Sequence, residues 1–295
     1  VSGSGSTKGT GSTERARYGR ILRRSATYSF VTIGALASIF PLYYMVVGSL
    51  QLRADSAFSG LIPKSGNIGL QNYRDVNHAI SLLPSLANSA IFTLGTVVLT
   101  IVIGLPAGYA LARLRFPGKP AVAGMLILVL VLPFQVMMIP LYILVVRDYG
   151  LADNYLGMIL PFAVNAPAVL IFRQFFISLP DELFDAAYID GAGEIRTLAL
   201  VAAPLTKPAI ITASVITFIG PWNEFLWPFL ITKKHSMQPL AVSLGEYVST
   251  NAATATNPYG VILAGACVLA VPVIVLFLIA QRHFTSAALG SGVKE

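Results

Sequence analysis

Six long runs almost free of charged side chains constrain this chain more than any other feature. A hydrocarbon core about 30 Å thick needs roughly 20 apolar residues per helix. Runs of about that length fall at residues 28–50, 89–112, 121–146, 155–172, 208–230 and 259–280, and only the fifth carries an ionisable carboxylate, Glu224. Composition agrees: 55% of the 295 residues are hydrophobic and 11% are charged, against about 25% charged in an ordinary soluble domain. Thirteen acids and 20 basic residues are too few to coat a globule of 31.4 kDa, which excludes a water-soluble enzyme. The chain reads as an all-α polytopic membrane protein with six transmembrane helices over 28–280. The first run is too long for a cleaved signal and five others follow it, so it reads as a retained helix.

Assigning the connecting segments alternately to two sides divides the basic residues unevenly. One side takes 14: Lys8, Arg15, Arg17, Arg20, Arg23 and Arg24 in the N-terminal tail, Arg113, Arg115 and Lys119 after the second run, Arg173, Arg196 and Lys207 after the fourth, and Arg282 and Lys294 at the C-terminus. The other side takes six. Lys and Arg stay cytoplasmic, so both termini are predicted there. The same rule explains the net charge of +7 without nucleic acid as a partner. Residues 1–27, opening VSGSGSTKGTGS, are expected to be a flexible basic tail, with a second tail at 281–295. The lone Cys267 offers neither a disulfide nor a thiolate metal site. His78, His235 and His283 are scattered and form no metal or catalytic motif. Prolines such as Pro133, Pro161 and Pro221 read as kinks, and Gly104 with Gly108 as a close helix approach; neither assigns a function.

One stretch breaks this pattern: LPDELFDAAYIDGAGEIRTLALVAAPLTKP, residues 179–208, holding five of the 13 acids. Pro180 before Asp181 and Glu182 predicts a helix start, with carboxylates at the positive end of the dipole. Asp190-Gly191 predicts a stop, since glycine takes the left-handed conformation that ends helices, and a second helix is expected to end near Pro204. Two short helices at an angle, too apolar for a solvated loop, require something to dock on. One reading is an amphipathic hairpin on the membrane surface. The other is a knob for a partner's groove, anchored by Phe184, Ala187, Tyr188 and Leu198, with Asp185 and Asp190 facing basic residues.

DAAYIDGAGEIRTLALVAAP resembles the EAA signature of permease subunits of binding-protein-dependent ATP-binding-cassette (ABC) importers. Asp185-Ala186-Ala187 stands at its Glu-Ala-Ala, Gly191 at its glycine, Val201 and Ala203 at its Ile and Leu, and Pro204 at its proline. Asp for Glu, Val for Ile and Ala for Leu are departures. DAAYIDGA, FIGPWNEFLWPFL (218–230), RLRFPGKP (113–120) and the terminal SGVKE are similar to the smaller maltose-type carbohydrate permease, over residues 25–295. The resemblance implies a cytoplasmic coupling segment at 180–204 between spans four and five, with Phe184, Asp185, Ala186, Ala187, Tyr188, Asp190, Gly191, Ala192 and Pro204 meeting the ATPase. It further implies a second permease subunit as heterodimer partner, two copies of an ATPase, an extracytoplasmic binding protein, and a bacterial-type cytoplasmic membrane. The chain has no ATP site of its own, Gly118-Lys119-Pro120 being a poor imitation of a P-loop. ATP and Mg are therefore expected on the ATPase subunits, with no cofactor, metal or catalytic residue here.

Polar groups inside spans are candidates for the pathway. Glu224 lies among Trp222, Asn223 and Trp227, a mixture suited to a sugar, whose C–H faces stack on indoles while hydroxyls bond amides and carboxylates. An interfacial aromatic belt explains the same residues. Gln135 and Asn165 near the centres of spans three and four fit either a pathway or interhelical hydrogen bonds. The outer loop 231–258 is too long and polar for a plain turn, and the resemblance makes Thr250, Asn251, Thr254, Thr256 and Asn257 its contact with the binding protein. Two other function classes make different demands on the residues. A stand-alone secondary transporter or channel favours an inverted repeat and midplane charges; no repeat is evident and Glu224 is the one intraspan charge. A membrane enzyme needs paired catalytic groups within spans, and no Asp, Lys or His lies in any run. A carbohydrate is the substrate class implied by resemblance, with polyols and glycerol phosphodiesters sharing the motifs.

Overall fold

Apolar runs with no water to satisfy their amides must close their hydrogen bonds within helices. The computed structural model describes residues 10–53, 61–250 and 257–290, with side chains over 23–53, 61–250 and 257–281, and apart from one bridge between Gln51 and Ile68 the described residues form no β structure. Three helices are each long and apolar enough to cross a membrane: α1 (Thr10–Leu50), α3 (Leu82–Arg113) and α14 (Pro258–Gly290). Between α1 and α3 lies the short α2 (Gln71–Ile80).

The other crossings are broken. The third run, expected as one span, is α4 (Lys119–Val131) and α5 (Phe134–Tyr142), the latter extended by a π-helical turn at Ile143–Asp148, bent by 101°. Pro133 at the break has no N–H to donate, and a proline pushes the residue before it out of the helical region; Leu132 is extended, at φ −78° and ψ 119°. The fourth run is α6 (Tyr155–Ala163) and α7 (Ala166–Ser178), bent by 46°. Asn165 sits at this break and caps α7, its Oδ1 accepting the Ala168 N–H at 3.0 Å. The fifth run forms α11 (Lys207–Asn223), turns at Glu224, and restarts as α12 (Leu226–Ile231).

Both end helices extend beyond the apolar runs. Helix α1 begins at Thr10, so residues 10–27 are helical and continuous with the first span; Glu14, Arg15, Ala16 and Arg17 are favourable helix formers. Likewise α14 runs past residue 280 to Gly290. Residues 1–9 and 291–295 lie outside the described residues.

Helix α3 packs on α6, α7 and α11, and α14 on α1, α11 and α2. The glycine spacing read from the sequence lies at the α3–α7 contact: a Cβ at Gly108 would fall 2.5 Å from the Phe172 Cβ and 2.9 Å from the Arg173 amide nitrogen. The ends of the bundle differ. At the basic end, Arg113, Arg115 and Lys119 meet the 179–208 segment around a cavity of about 480 Å³. At the far end, α2 and α13 (Leu240–Thr250) form a cap. There the buried Asn72 amide donates to the carbonyls of Ser49 (2.9 Å) and Gln51 (2.7 Å), and Asn257 donates to the Asn72 Oδ1 at 2.9 Å.

Candidate functional site

The 179–208 segment folds as its residues dictate. Helix α8 (Asp181–Ile189) starts after Pro180 with Asp181 and Glu182 in its first turn. It stops in a Schellman motif: Gly191 takes φ +76°, its N–H bonds the Tyr188 carbonyl at 3.0 Å, and the Ala192 N–H bonds the Ala187 carbonyl at 2.9 Å. The chain then enters α9 (Glu194–Thr197), widens into a π-helical turn at Leu198–Ala202, and ends as α10 (Ala203–Leu205). Pro204 has no N–H for the Leu200 carbonyl, which favours the widened turn. A 79° bend then leads into α11.

Two faces result. Phe184 (4% exposed) is buried against Tyr109, Phe172, Phe176 and Ala202, with Leu198 packed on the same cluster, and Ala187, one turn on, is also buried. Of the four anchors expected to enter a partner's groove, Phe184, Ala187 and Leu198 are therefore turned inward and Tyr188 stays exposed, because the short helices must bury one apolar stripe before they can present the other. The outward face carries Asp185, Ala186, Tyr188, Asp190 and Gly191, with Pro204 exposed and Ala192 half-buried. Asp185 has no ion pair among the described residues. Its apolar tip is Ile189 and Ile195, 86% and 85% exposed, which sequence reasoning missed; the clue was their place on either side of the glycine turn.

Arg113, at the last turn of α3, also escaped the sequence reading. Its guanidinium lies 4.1 Å over the Phe184 ring, pairs with Asp181, and donates to the carbonyls of Phe176 (2.7 Å) and Leu179 (2.5 Å). Nearby, Glu194 accepts from the Tyr109 hydroxyl at 2.9 Å and from the Tyr188 hydroxyl at 3.0 Å. Partial burial, reinforced by Glu194, raises the Tyr188 phenol above its ordinary value, so it stays a donor at neutral pH.

The six intraspan polar and aromatic candidates do not converge on one cavity. Trp222 is buried, stacked on Phe218 at 5.3 Å, and its indole N–H bonds the Leu269 carbonyl at 2.8 Å. Trp227 is fully buried against Phe92 and Met158 and bonds the Gly157 carbonyl at 3.1 Å. Both rings are occupied by packing, and each indole N–H is taken by a carbonyl of a neighbouring helix. Glu224 caps α12, accepting from the amides of Leu226 (3.0 Å) and Trp227 (3.2 Å). Asn223 and Gln135 are exposed, and Asn165 is the α7 cap. At the far end Thr250 is exposed, while Asn257 is a strut of the amide network rather than a loop tip. Asn251, Thr254 and Thr256 lie outside the described residues.

A helical membrane bundle of this fold is matched among known proteins. The family model described as "Binding-protein-dependent transport system inner membrane component" matches residues 100–287. The chain belongs to that family. The arabinooligosaccharides transport system permease protein AraQ of Bacillus subtilis is 32% identical over 92% of this chain and 96% of that protein. The sn-glycerol-3-phosphate transport system permease protein UgpE of Yersinia pestis is 34% identical over 88% of this chain and 93% of its own length. A solved bacterial ABC transporter involved in import of the acidic polysaccharide alginate contains a chain that superposes with a TM-score of 0.78 at 26% identity, over 91% of this chain and 98% of that one. This chain is therefore a membrane-embedded permease component of a binding-protein-dependent transport system, and the matched stretch contains the whole of α8–α11.

Proposed function

We propose that this chain is one of two permease subunits of an ATP-driven importer and that, with the second permease, it forms the pathway for a carbohydrate or a related polyol or glycerol derivative. An extracytoplasmic binding protein delivers the substrate, and two copies of a cytoplasmic ABC ATPase bind ATP and Mg. The chain itself conducts and couples and performs no chemistry. The observation that carries this reading is the segment α8–α10: its Phe184–Ala187 face seats it on the bundle, while Asp185, Tyr188, Asp190, Ile189 and Ile195 stand outward as a rigid knob for a groove on the ATPase. The basic end is then cytoplasmic, with both termini, in line with the positive-inside rule. The substrate class is supported by the names of the relatives, which span oligosaccharide, glycerol phosphate and polysaccharide systems.

At the far end, a cavity of about 350 Å³ lined by Ser81, Gln238, Glu246, Tyr247 and Thr250 faces the side from which the binding protein approaches, with Thr250 and the residues that follow it up to 256 as its contact. Of the pathway candidates, the exposed Gln135 and Asn223, whose amide donates to the Ile219 carbonyl at 2.9 Å, are the ones placed to meet substrate once the second permease completes the wall.

Purification of the tagged chain from its native membrane in mild detergent, with mass spectrometry and an ATP-hydrolysis assay, tests the reading. Recovery of a second permease and an ATPase is expected, and the ligand of the accompanying binding protein identifies the substrate. A homo-oligomer free of ATPase refutes it and favours a stand-alone transporter.

A further inference from the structure

The knob has two attachments to the bundle, and they are unlike. Toward α11 the backbone bends by 79° around Thr206, whose N–H is shared between the carbonyls of Ala202 and Ala203 at 3.1 Å; this is a joint. Toward α3 the attachment is a lock. The Tyr109 ring is buried (2% exposed) edge-on to Phe176 at 5.5 Å, so its hydroxyl is fixed where it meets Glu194, the first residue of α9. The same carboxylate takes the Tyr188 hydroxyl of α8, so one side chain joins α9 to α8 and both to α3. One turn further along α3, Arg113 adds the Phe184 stack and the Asp181 pair.

Helix α3 is unbroken over 32 residues, about 48 Å at 1.5 Å per residue, while the crossings beside it are bent. Its other end is fastened to the cap. Asn88 donates to the carbonyls of Ser236 (2.9 Å) and Gln238 (3.1 Å), Ser89 accepts the Leu240 N–H at 2.8 Å, and the Ser85 and Ser243 hydroxyls are 2.9 Å apart.

We propose that α3 is the rod that relays movement between the coupling segment and the cap, and that Tyr109, Glu194 and Arg113 are the positioning residues that lock the segment to it. This rests on the importer reading above. Movement of the knob then swings on the α11 joint and is delivered, through Glu194, to a helix that ends where the binding protein docks.

The test uses the complete transporter in proteoliposomes with its binding protein, comparing wild type, Tyr109→Phe, Glu194→Gln and the double variant. Tyr109→Phe keeps the ring packing and lies outside the segment that meets the ATPase, so in that variant ATPase copurification and basal hydrolysis are expected to be unchanged, while Glu194→Gln keeps the shape and removes the charge that strengthens both hydroxyl bonds. Stimulation of hydrolysis by loaded binding protein, and substrate moved per ATP, are expected to fall about fivefold or more, the lower range of ordinary coupling between sites. The double variant should be no worse than either single one, as for groups that act as a unit. Unchanged stimulation and transport in the double variant overturn the proposal, as does a fall in transport that only tracks lost ATPase. Wild type that carries no ATPase overturns the importer reading and the relay together; wild type that couples normally beside variants that also couple normally overturns the relay alone.

Discussion

The two ends of α3 are held by different chemistry. At the far end the fasteners are buried, neutral amides and hydroxyls: Ser85, Asn88 and Ser89 are each at most 4% exposed. At the basic end they are a guanidinium, carboxylates and phenols, and Asp181, Tyr188 and Glu194 are exposed. Neutral buried bonds ignore salt and are costly to orphan, whereas charges at the surface are screened and yield little when broken. The far end is thus fastened to stay, and the basic end is fastened by contacts that a docking partner can reinforce or replace.

Asn88→Leu attacks the permanent end and should have the largest effect. Leucine matches the shape but leaves the Ser236 and Gln238 carbonyls and the Tyr155 hydroxyl, which donates to Asn88 Oδ1 at 2.7 Å, without their partner. Each buried group left unpaired costs about 1–3 kcal/mol, so a loss of about 3 kcal/mol is expected in thermal unfolding of the detergent-solubilised chain, equal in low and high salt. A loss that shrinks with salt would erase the contrast between the ends.

Gly191→Val comes next and acts at the basic end alone. No atom lies within 4 Å of a Cβ built there, so the cost is purely that of a left-handed backbone, about 1–2 kcal/mol. The expected outcome is loss of ATPase copurification with the unfolding midpoint of the spans unmoved, while Gly191→Asn, which tolerates that conformation better, retains more of the ATPase. Equal recovery with valine and asparagine would mean that the Schellman turn does not set the shape of the knob.

What was legible in the sequence follows the same division between local and distant causes. The six runs, the helix start at Pro180, the stop at Gly191 and the α3–α7 approach at Gly108 are backbone chemistry, written in the residues on the spot. The break at Pro133 was not legible as a break, because membrane helices also tolerate proline as a kink. Side-chain duties set by distant partners were not legible either. Trp222 finds its carbonyl 47 residues away, Trp227 finds its own 70 away, and Glu194 meets a tyrosine 85 residues earlier. Phe184 and Ala187 were legible as an apolar face, but periodicity names such a face without saying whether the chain's own bundle or a partner covers it.

Arg113→Lys probes the lock with a smaller step. A lysine keeps the charge but loses the planar fork that reaches two carbonyls and Asp181 while stacking on Phe184. About 1 kcal/mol is expected, read as roughly fivefold faster tryptic cleavage after the exposed Arg196, since 1.4 kcal/mol is a factor of ten. High salt should narrow the gap between the variants. An unchanged rate would place the hold on the segment in the Phe184 cluster instead.

Asp153→Asn tests whether any charge matters at the far end, and its effect should be the smallest. Asp153 accepts from the backbone amides of Lys234 (2.9 Å) and Lys233 (2.6 Å). The Lys234 amide, with the Lys233 amide and both ammonium groups adding to it, holds the carboxyl below the usual carboxylate range. A carboxyl whose folded pKa is depressed contributes fully above its unfolded value, about 3.9, and loses that contribution as the pH falls through the lowered folded value. At this half-buried surface site, screened by solvent, the contribution is less than about 0.5 kcal/mol. Protection of the Lys233 and Lys234 amides from hydrogen exchange should therefore fall on acidification below about pH 4 in the wild type and stay flat in Asp153→Asn, where asparagine still offers an oxygen but has no proton to gain. A wild-type profile as flat as the variant's would mean that the Asp153 charge plays no part in fastening the far end. A fall that spreads to the Leu240 amide on Ser89 would mean that the cap shares the charge dependence reserved here for the opposite end.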